Sequence, residues 1–316
     1  NVTSPSIVAY PLDGGSSISS VGSNVFDGFV STTYIPNPCL QAPASVCLRK
    51  KVFETTMNLP PGTNGYDLAF EDFARSANID NFLTPDQWSS IYYTVVPDVN
   101  PPNNGPRFPN DPPPNLCLND TFRYDHSVID PDGDSIVYKW CNPKGNFGAS
   151  VGAGSPYPNV SWCCGYGTNN PVPSTPPFTL DPQTGLMEGI PNTNGNYVYS
   201  VCYEEYRNGV KINEGARDYM FRITNCSPRN PSVNTVAQGG ASNLGYCSDM
   251  TVDFQNTSTD AETYYWDFGD TLITTDTSTL KEPTYTYNQA GVYTIMLVAN
   301  PGTSCADTMY IDYEIY

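Results

Sequence analysis

Basic side chains are scarce in this chain. Against 32 Asp and Glu stand 14 Lys and Arg in 316 residues, with a single His, for a formal charge of −18. Nucleic-acid phosphates require basic partners, so this balance excludes nucleic acid as a ligand, and an anionic bilayer surface is excluded on the same ground. No apolar run approaches the ~20 residues of a membrane-crossing helix, so no membrane insertion is expected. Helical periodicity is almost missing. Only Thr84–Pro85–Asp86 imitates a helix start, with Pro at the first position after a cap residue, and one short turn at most is expected there. The metalloprotease H-E-x-x-H, the phosphate-binding P-loop and the dinucleotide fingerprint are all absent. So is any C-x-x-C pair, which argues against a zinc ribbon.

What is present points to an oxidising compartment. Ten cysteines accompany 30 prolines, 25 glycines and 23 tyrosines. This is the profile of an extracellular β-protein in which disulfides form. The chain opens at "NVTSPS" without Met or a signal peptide and reads as a processed protein or a fragment of a longer one. Short alternating runs, among them "DSIVYKW", "NYVYSVCYEEY", "MTVDFQN" and "GVYTIMLVAN", stand between turn clusters. Period-two alternation at this spacing predicts antiparallel strands stacked as sandwiches.

The stretch "YYWDFGD" shows the local logic. A helix would fan its aromatics and acids around the whole circumference. A strand sends Tyr264, Trp266 and Phe268 into a core and Tyr265 and Asp267 the other way. Gly269–Asp270 then ends the strand in a tight turn. Two Pro/Asn-rich stretches, 99–115 and 225–243, read as linkers, the first extended and semi-rigid. They divide the chain into modules over 1–104, 105–227 and 228–316. The expected fold class is all-β, with tandem immunoglobulin-like β-sandwich modules joined by Pro-rich linkers.

The segment "VDFQNTSTDAETYYWDFGDT" followed by "KEPTYTYNQAGVYTIMLVA" resembles a PKD domain, which implies an immunoglobulin-like sandwich. The middle module, with "DPDGDS" and "DPQTGLMEGIPNT", resembles the cadherin-like or putative-Ig repeats of large Bacteroidetes surface proteins, and "VCLRKKVFETTMNLPPGTNGYDLAFEDFARS" resembles the segment that precedes them. Together these resemblances imply a gliding adhesin of the SprB type, exported by type IX secretion to the cell surface. In the PKD-like module Cys247 precedes the first core strand and Cys305 the last, and a disulfide between them is expected. Cys39–Cys47 and Cys141–Cys202 are further expected pairs, the rest staying open.

Oxygen-rich loops supply the candidate metal ligands. Asp130, Asp132 and Asp134 alternate in "DPDGDS", suiting calcium, although the spacing is not that of an EF-hand. The competing reading is a turn whose aspartates cap backbone N–H groups. In the PKD-like module the resemblance to calcium-binding members maps onto Asn256, Ser258, Asp260, Asp267 and Asp270. The D-S/T-aliphatic triplets at which Bacteroidetes attach O-glycans occur at Ser135, Thr271 and Thr308.

Catalytic constellations fare poorly. "GASVG" matches the nucleophile-elbow pattern around Ser150, but the Gly/Ala/Ser loop leads to Pro156 and Pro158, where no helix can follow. His126 has no nucleophile in its sequence context, and a hydrogen-bonded strand position is expected for it. Glu204 and Glu205 are adjacent on a strand and face opposite sides. The chain therefore reads as a non-catalytic, structural or adhesive extracellular segment of a bacterial surface protein or filament. Its partners would be neighbouring modules or copies of itself, with surface glycans or abiotic surfaces as targets and Ca²⁺ as its sole cofactor. Tandem sandwiches and the Pro-rich linkers imply an elongated particle. The alternative is a carbohydrate-binding accessory module of a secreted polysaccharide-degrading enzyme, stacking sugars on Tyr264, Tyr265 or Trp162.

Overall fold

Alternating sequence gives alternating structure throughout the chain. The computed structural model describes residues 5–30, 39–41, 48–61, 64–98, 102–148, 154–229, 231–233, 235–239 and 250–315. Strands carry almost all of the regular structure, and the helix-like stretch forms only the single 3₁₀ turn Pro85–Gln87. The chain resolves into two compact units, Asn1–Pro36 with Ala44–Asn225, and Asn37–Pro43 with Cys226–Tyr316.

The first unit corrects the expected boundary between 104 and 105. Its main sheet runs in the order Ser135–Trp140, Gly195–Arg207, Val210–Thr224, Ser90–Pro97, Gly65–Asp72, Ser6–Pro11 and Ile18–Val21, with Asn115–Cys117 parallel to Val210–Thr224. Strands from both expected modules thus share one sheet. They join at the single register pair Gly215↔Thr94. Side chains complete that seam: Asn213 Oδ1 accepts from the Val95 amide at 3.2 Å, and the Thr94 hydroxyl lies 3.0 Å from the Tyr203 hydroxyl. A Cβ at Gly215 would sit 2.6 Å from the Tyr203 hydroxyl oxygen, so only glycine lets that ring cross the strand.

The strand Gly195–Arg207 is buried on both faces. Tyr197, Tyr199, Val201 and Tyr203 join Phe122, Phe178, Met187 and Phe221 in a core beneath the three-stranded sheet of Phe122–Asp125, Leu186–Gly189 and Thr179–Leu180. Val198, on the other face, packs with Ile79, Phe82, Trp88 and Val160. Those covering segments lack regular strands and pair through isolated bridges such as Phe82↔Trp162 and Trp88↔Phe147, which side chains supplement. Asn81, fully buried, accepts from the Val198 amide at 3.1 Å and donates to the Val198 carbonyl at 2.7 Å. Arg75 donates to the Ser89 and Lys144 carbonyls and to Asp218 at 2.8 Å, in an ion pair with both partners buried. Such a pair is costly to break from one side, because the surviving charge stays buried.

The Pro/Asn-rich stretch is not a free spacer. Arg107 bridges to Ile129, Phe108 packs edge-on against Tyr203, and Asp111 pairs with Lys50 and Arg217. Proline fixes its extended backbone, and specific contacts fasten that backbone down along residues 102–115.

The second unit is a sandwich. One sheet orders Thr235–Gly239, Thr251–Asn256 and Thr284–Thr286, and the other Thr277–Ser278, Tyr264–Asp267, Gly291–Ala299 and Asp307–Ile315. Between them lie Val252, Phe254, Tyr264, Trp266, Phe268, Tyr287, Ile295, Leu297 and Ile315. Trp266 is completely buried and its indole N–H donates to the Leu280 carbonyl at 3.0 Å. Gly269, at φ +70°, ends this run, and a Cβ there would lie 2.4 Å from the Thr294 carbonyl oxygen. The segment Asn37–Pro43 belongs to this unit, through pairing of Leu40–Gln41 with Ser227–Pro228.

Candidate functional site

The "DPDGDS" turn leads into the strand Ser135–Trp140, whose partner register sets Ser135 against Tyr206 and Ile136 against Glu205. Pairing therefore brings the strand end Glu205–Arg207 to the turn. Asp130 Oδ1 accepts the amides of Asp132 and Asp134 at 3.0 and 2.9 Å. The capping role is real, but it occupies one oxygen only. Asp130 Oδ2 is buried without a hydrogen-bond partner, and so is Oε1 of Glu205, a fully buried residue. Asp130, Asp134 and Glu205 each offer an oxygen within 4.8 Å of the others.

Asp132 faces elsewhere. Its carboxylate accepts from the backbone and side-chain amides of Asn104 at 2.7 and 2.9 Å. Arg207 forks onto Asp134 at 2.6 Å and Asp132 at 3.0 Å, and also donates to Asn103. The Arg207 hydrogen bonds hold the Asp134 carboxyl below its usual range, and those from Asn104 do the same for Asp132. Burial pushes Glu205 the other way. Of the expected trio, Asp130 and Asp134 thus converge with Glu205, whereas Asp132 anchors the Pro/Asn-rich stretch. Glu205 and Arg207 escaped sequence reasoning because only the strand register brings them to the turn. The lone base two residues from a buried acid was the available signal.

The second expected ligand set is divided. Asn256 ends the strand Thr251–Asn256, and Ser258 and Asp260 lie in the connection that leads on to Tyr264–Asp267, whereas Asp267 and Asp270 lie at the exit of that strand. Asn256 Oδ1 accepts the Ser258 amide, Asp267 Oδ1 accepts the Gly269 amide, and buried Asp270 accepts the Leu272 amide. At the exit Asp276 accepts the Asp270 amide at 2.8 Å, closing the turn. The strand Tyr264–Asp267 lies between the two groups in sequence.

Disulfides depart from expectation in the second unit. Cys305 bonds Cys39, not Cys247, which also excludes Cys39–Cys47. The reason is topological: Asn37–Pro43 is an element of this unit although the whole of Ala44–Asn225 separates it from the rest in sequence. Cys47 and Cys247 lie outside the described residues. Cys141 bonds Cys202 across the paired strands, Cys163 bonds its neighbour Cys164, and Cys117 and Cys226 are each disulfide-bonded.

His126 is buried and neither ring nitrogen has a hydrogen-bond partner, which corrects the expected hydrogen-bonded position. It lies against Tyr124, Tyr199 and Tyr219, and burial depresses its pKa to about 3. Glu204, on the opposite face from Glu205, pairs with Lys139 and Lys211. Ser150 lies outside the described residues, whereas Ser135, Thr271 and Thr308 are all exposed. Of the aromatics proposed for sugar stacking, Tyr264 is in the core. Trp162 packs edge-on against Phe82 with its indole N–H bonded to Asn142, and Tyr265 is half-buried.

Comparison with known proteins places this geometry in its class: an all-β, immunoglobulin-like chain. The family model described as PKD domain matches residues 231–314, so a PKD domain occupies the greater part of the second unit. Among solved structures, the PKD1 domain of Vibrio anguillarum Epp is similar at 24% identity, covering 28% of this chain and 94% of that one with a TM-score of 0.21. The PKD1 domain of the Vibrio cholerae metalloprotease PrtV is similar at 27% identity, covering 27% and 95% with a TM-score of 0.20. A Dscam structure aligns over 99% of this chain and 91% of its own at 9% identity and a TM-score of 0.21. No curated protein matches the chain.

Proposed function

We propose that this chain is a non-catalytic structural segment of a secreted bacterial surface protein of the SprB-like, type IX-exported kind. It serves adhesion through neighbouring modules or copies of itself, with glycans or abiotic surfaces as targets. The supporting observation is a PKD domain whose unit is closed by a disulfide to a remote part of the chain. PKD domains are typically extracellular, and disulfides persist in oxidising compartments. The accessory-module reading has less support, because Tyr264 and Trp162 are committed to packing. Protease shaving of intact cells, followed by non-reducing electrophoresis, tests the proposal. Release of oxidised fragments is expected, and protein retained inside cells with free thiols would overturn it.

Calcium enters as part of the same proposal. The unpartnered oxygens of Asp130 and Glu205 fit a hard cation, with Asp134, shared with Arg207, as the third ligand. Bound calcium would neutralise the paired carboxylates and stabilise the folded state by mass action. Melting in millimolar calcium should exceed that in EDTA for the parent and for D132N, and E205Q should lose the difference. Identical melting in both media would refute calcium binding, and loss in D132N but not E205Q would restore the original trio.

A further inference from the structure

Covalent connectivity has a mechanical consequence. The Cys39–Cys305 bond spans a sequence separation of 266 residues. Tension applied on the N-terminal side of residue 39 and drawn off beyond residue 305 follows the shortest covalent path, which runs through the sulfur bridge. Non-covalent structure within 40–304 lies on a closed loop hanging from that path. We propose that the Cys39–Cys305 disulfide is a force bypass, which removes residues 40–304 from the line of tension along the chain.

The secondary structure beside the bridge suits this role. Beyond Cys305 the path enters the strand Asp307–Ile315, which is already extended and pairs over its whole length with Gly291–Ala299. An extended strand rises about 3.4 Å per residue, close to the limit of the chain, so this arm yields little length when pulled. The other arm contains Ser6–Pro11, Ile18–Val21 and Ser23–Val30, which tension can peel away. Most strands that build the two cores, from Gly65–Asp72 through Gly291–Ala299, are inside the loop, whereas Asp307–Ile315, which contributes Ile315 to the second core, lies on the arm. A segment that transmits pull between a surface and its anchor would then retain its cores under forces that unfold an unbridged sandwich. That purpose rests on the surface-protein reading, whereas the bypass itself rests only on the bridge.

Single-molecule stretching of the purified full chain, with handles at its two ends, reads this directly. Residues 1–39 and 305–316 fully extended span about 180 Å, and the whole chain about 1,100 Å. The oxidised protein should never lengthen beyond about 180 Å before a covalent bond breaks. The C39S/C305S double variant should lengthen well beyond that limit, and the fully reduced chain to about six times it. Contour length does not depend on whether the variant folds, so a misfolded double variant still gives the answer. Release of several hundred ångströms from the oxidised parent would overturn the bypass. An intracellular location would overturn the surface reading and leave this result untouched.

Discussion

The two units use their aromatic residues differently. In the PKD-bearing unit the core rings are close in sequence: Trp266 and Phe268 in one run, Tyr285 and Tyr287 in another, with Phe254 packed against Trp266 and Phe268. In the larger unit Phe122, Phe178, Tyr199 and Phe221 come from four distant segments, and irregular loops cover the far face of the sheet. The first arrangement is built from short-range strand and turn signals. The second is built from pairings that local pattern does not encode.

The largest expected effect breaks each core separately. Deleting a buried aromatic costs about 3–5 kcal/mol in lost burial and residual cavity. W266A should lower the thermal transition of the PKD-bearing unit and F221A that of the larger unit, followed by calorimetry on each variant. Equal effects of W266A on both units would show that they share one cooperative core.

A smaller effect separates turn chemistry from packing. G269A forces a side chain into positive φ and against the Thr294 carbonyl, where strain of about 1–3 kcal/mol is expected. G133A, in the "DPDGDS" turn, shares the positive φ, at +79°, but meets no atom within 4 Å. Denaturant midpoints should therefore fall more for G269A. A larger loss for G133A would mean that the aspartate turn, not the PKD turn, is the tighter one.

The gentlest probe is pH. His126 is neutral in the folded larger unit, with a pKa near 3 against about 6.5 when unfolded. The unfolded chain therefore takes up the proton first. This contribution is intact above about pH 6.5 and is lost at about 1.4 kcal/mol per pH unit as pH falls towards 3. H126F should flatten that slope between pH 6.5 and 4.5, a window in which Asp67, whose carboxyl burial raises to about 6, contributes with the opposite sign in parent and variant alike. An unchanged slope would place the sensitivity in another group. The PKD-bearing unit holds no histidine and should show no counterpart in that window.

These contrasts explain what the sequence could reveal. Tyr264, Trp266 and Phe268 alternate with period two, and Gly269 can be identified as a turn residue from its neighbours alone, so that strand was legible. The seam at Gly215 and Thr94 was not, because it joins strands more than 100 residues apart through Asn213 and Tyr203 side chains. Proline content marked 99–115 as extended, yet gave no hint that Asn103, Asn104 and Asp111 fasten it. The acidic turn was visible, but Glu205 reaches it only through strand register. Cys39 was misassigned for the same reason: reading each module as self-contained hid a segment that crosses between units.

The measurement that bears most directly on this account is disulfide mapping of the non-reduced protein by mass spectrometry. Segment Asn37–Pro43 completes the PKD-bearing unit, so one peptide pair should join Cys39 to Cys305, a link that reduction abolishes. Recovery of Cys305 bonded to Cys247, with Cys39 bonded to Cys47, would contradict it.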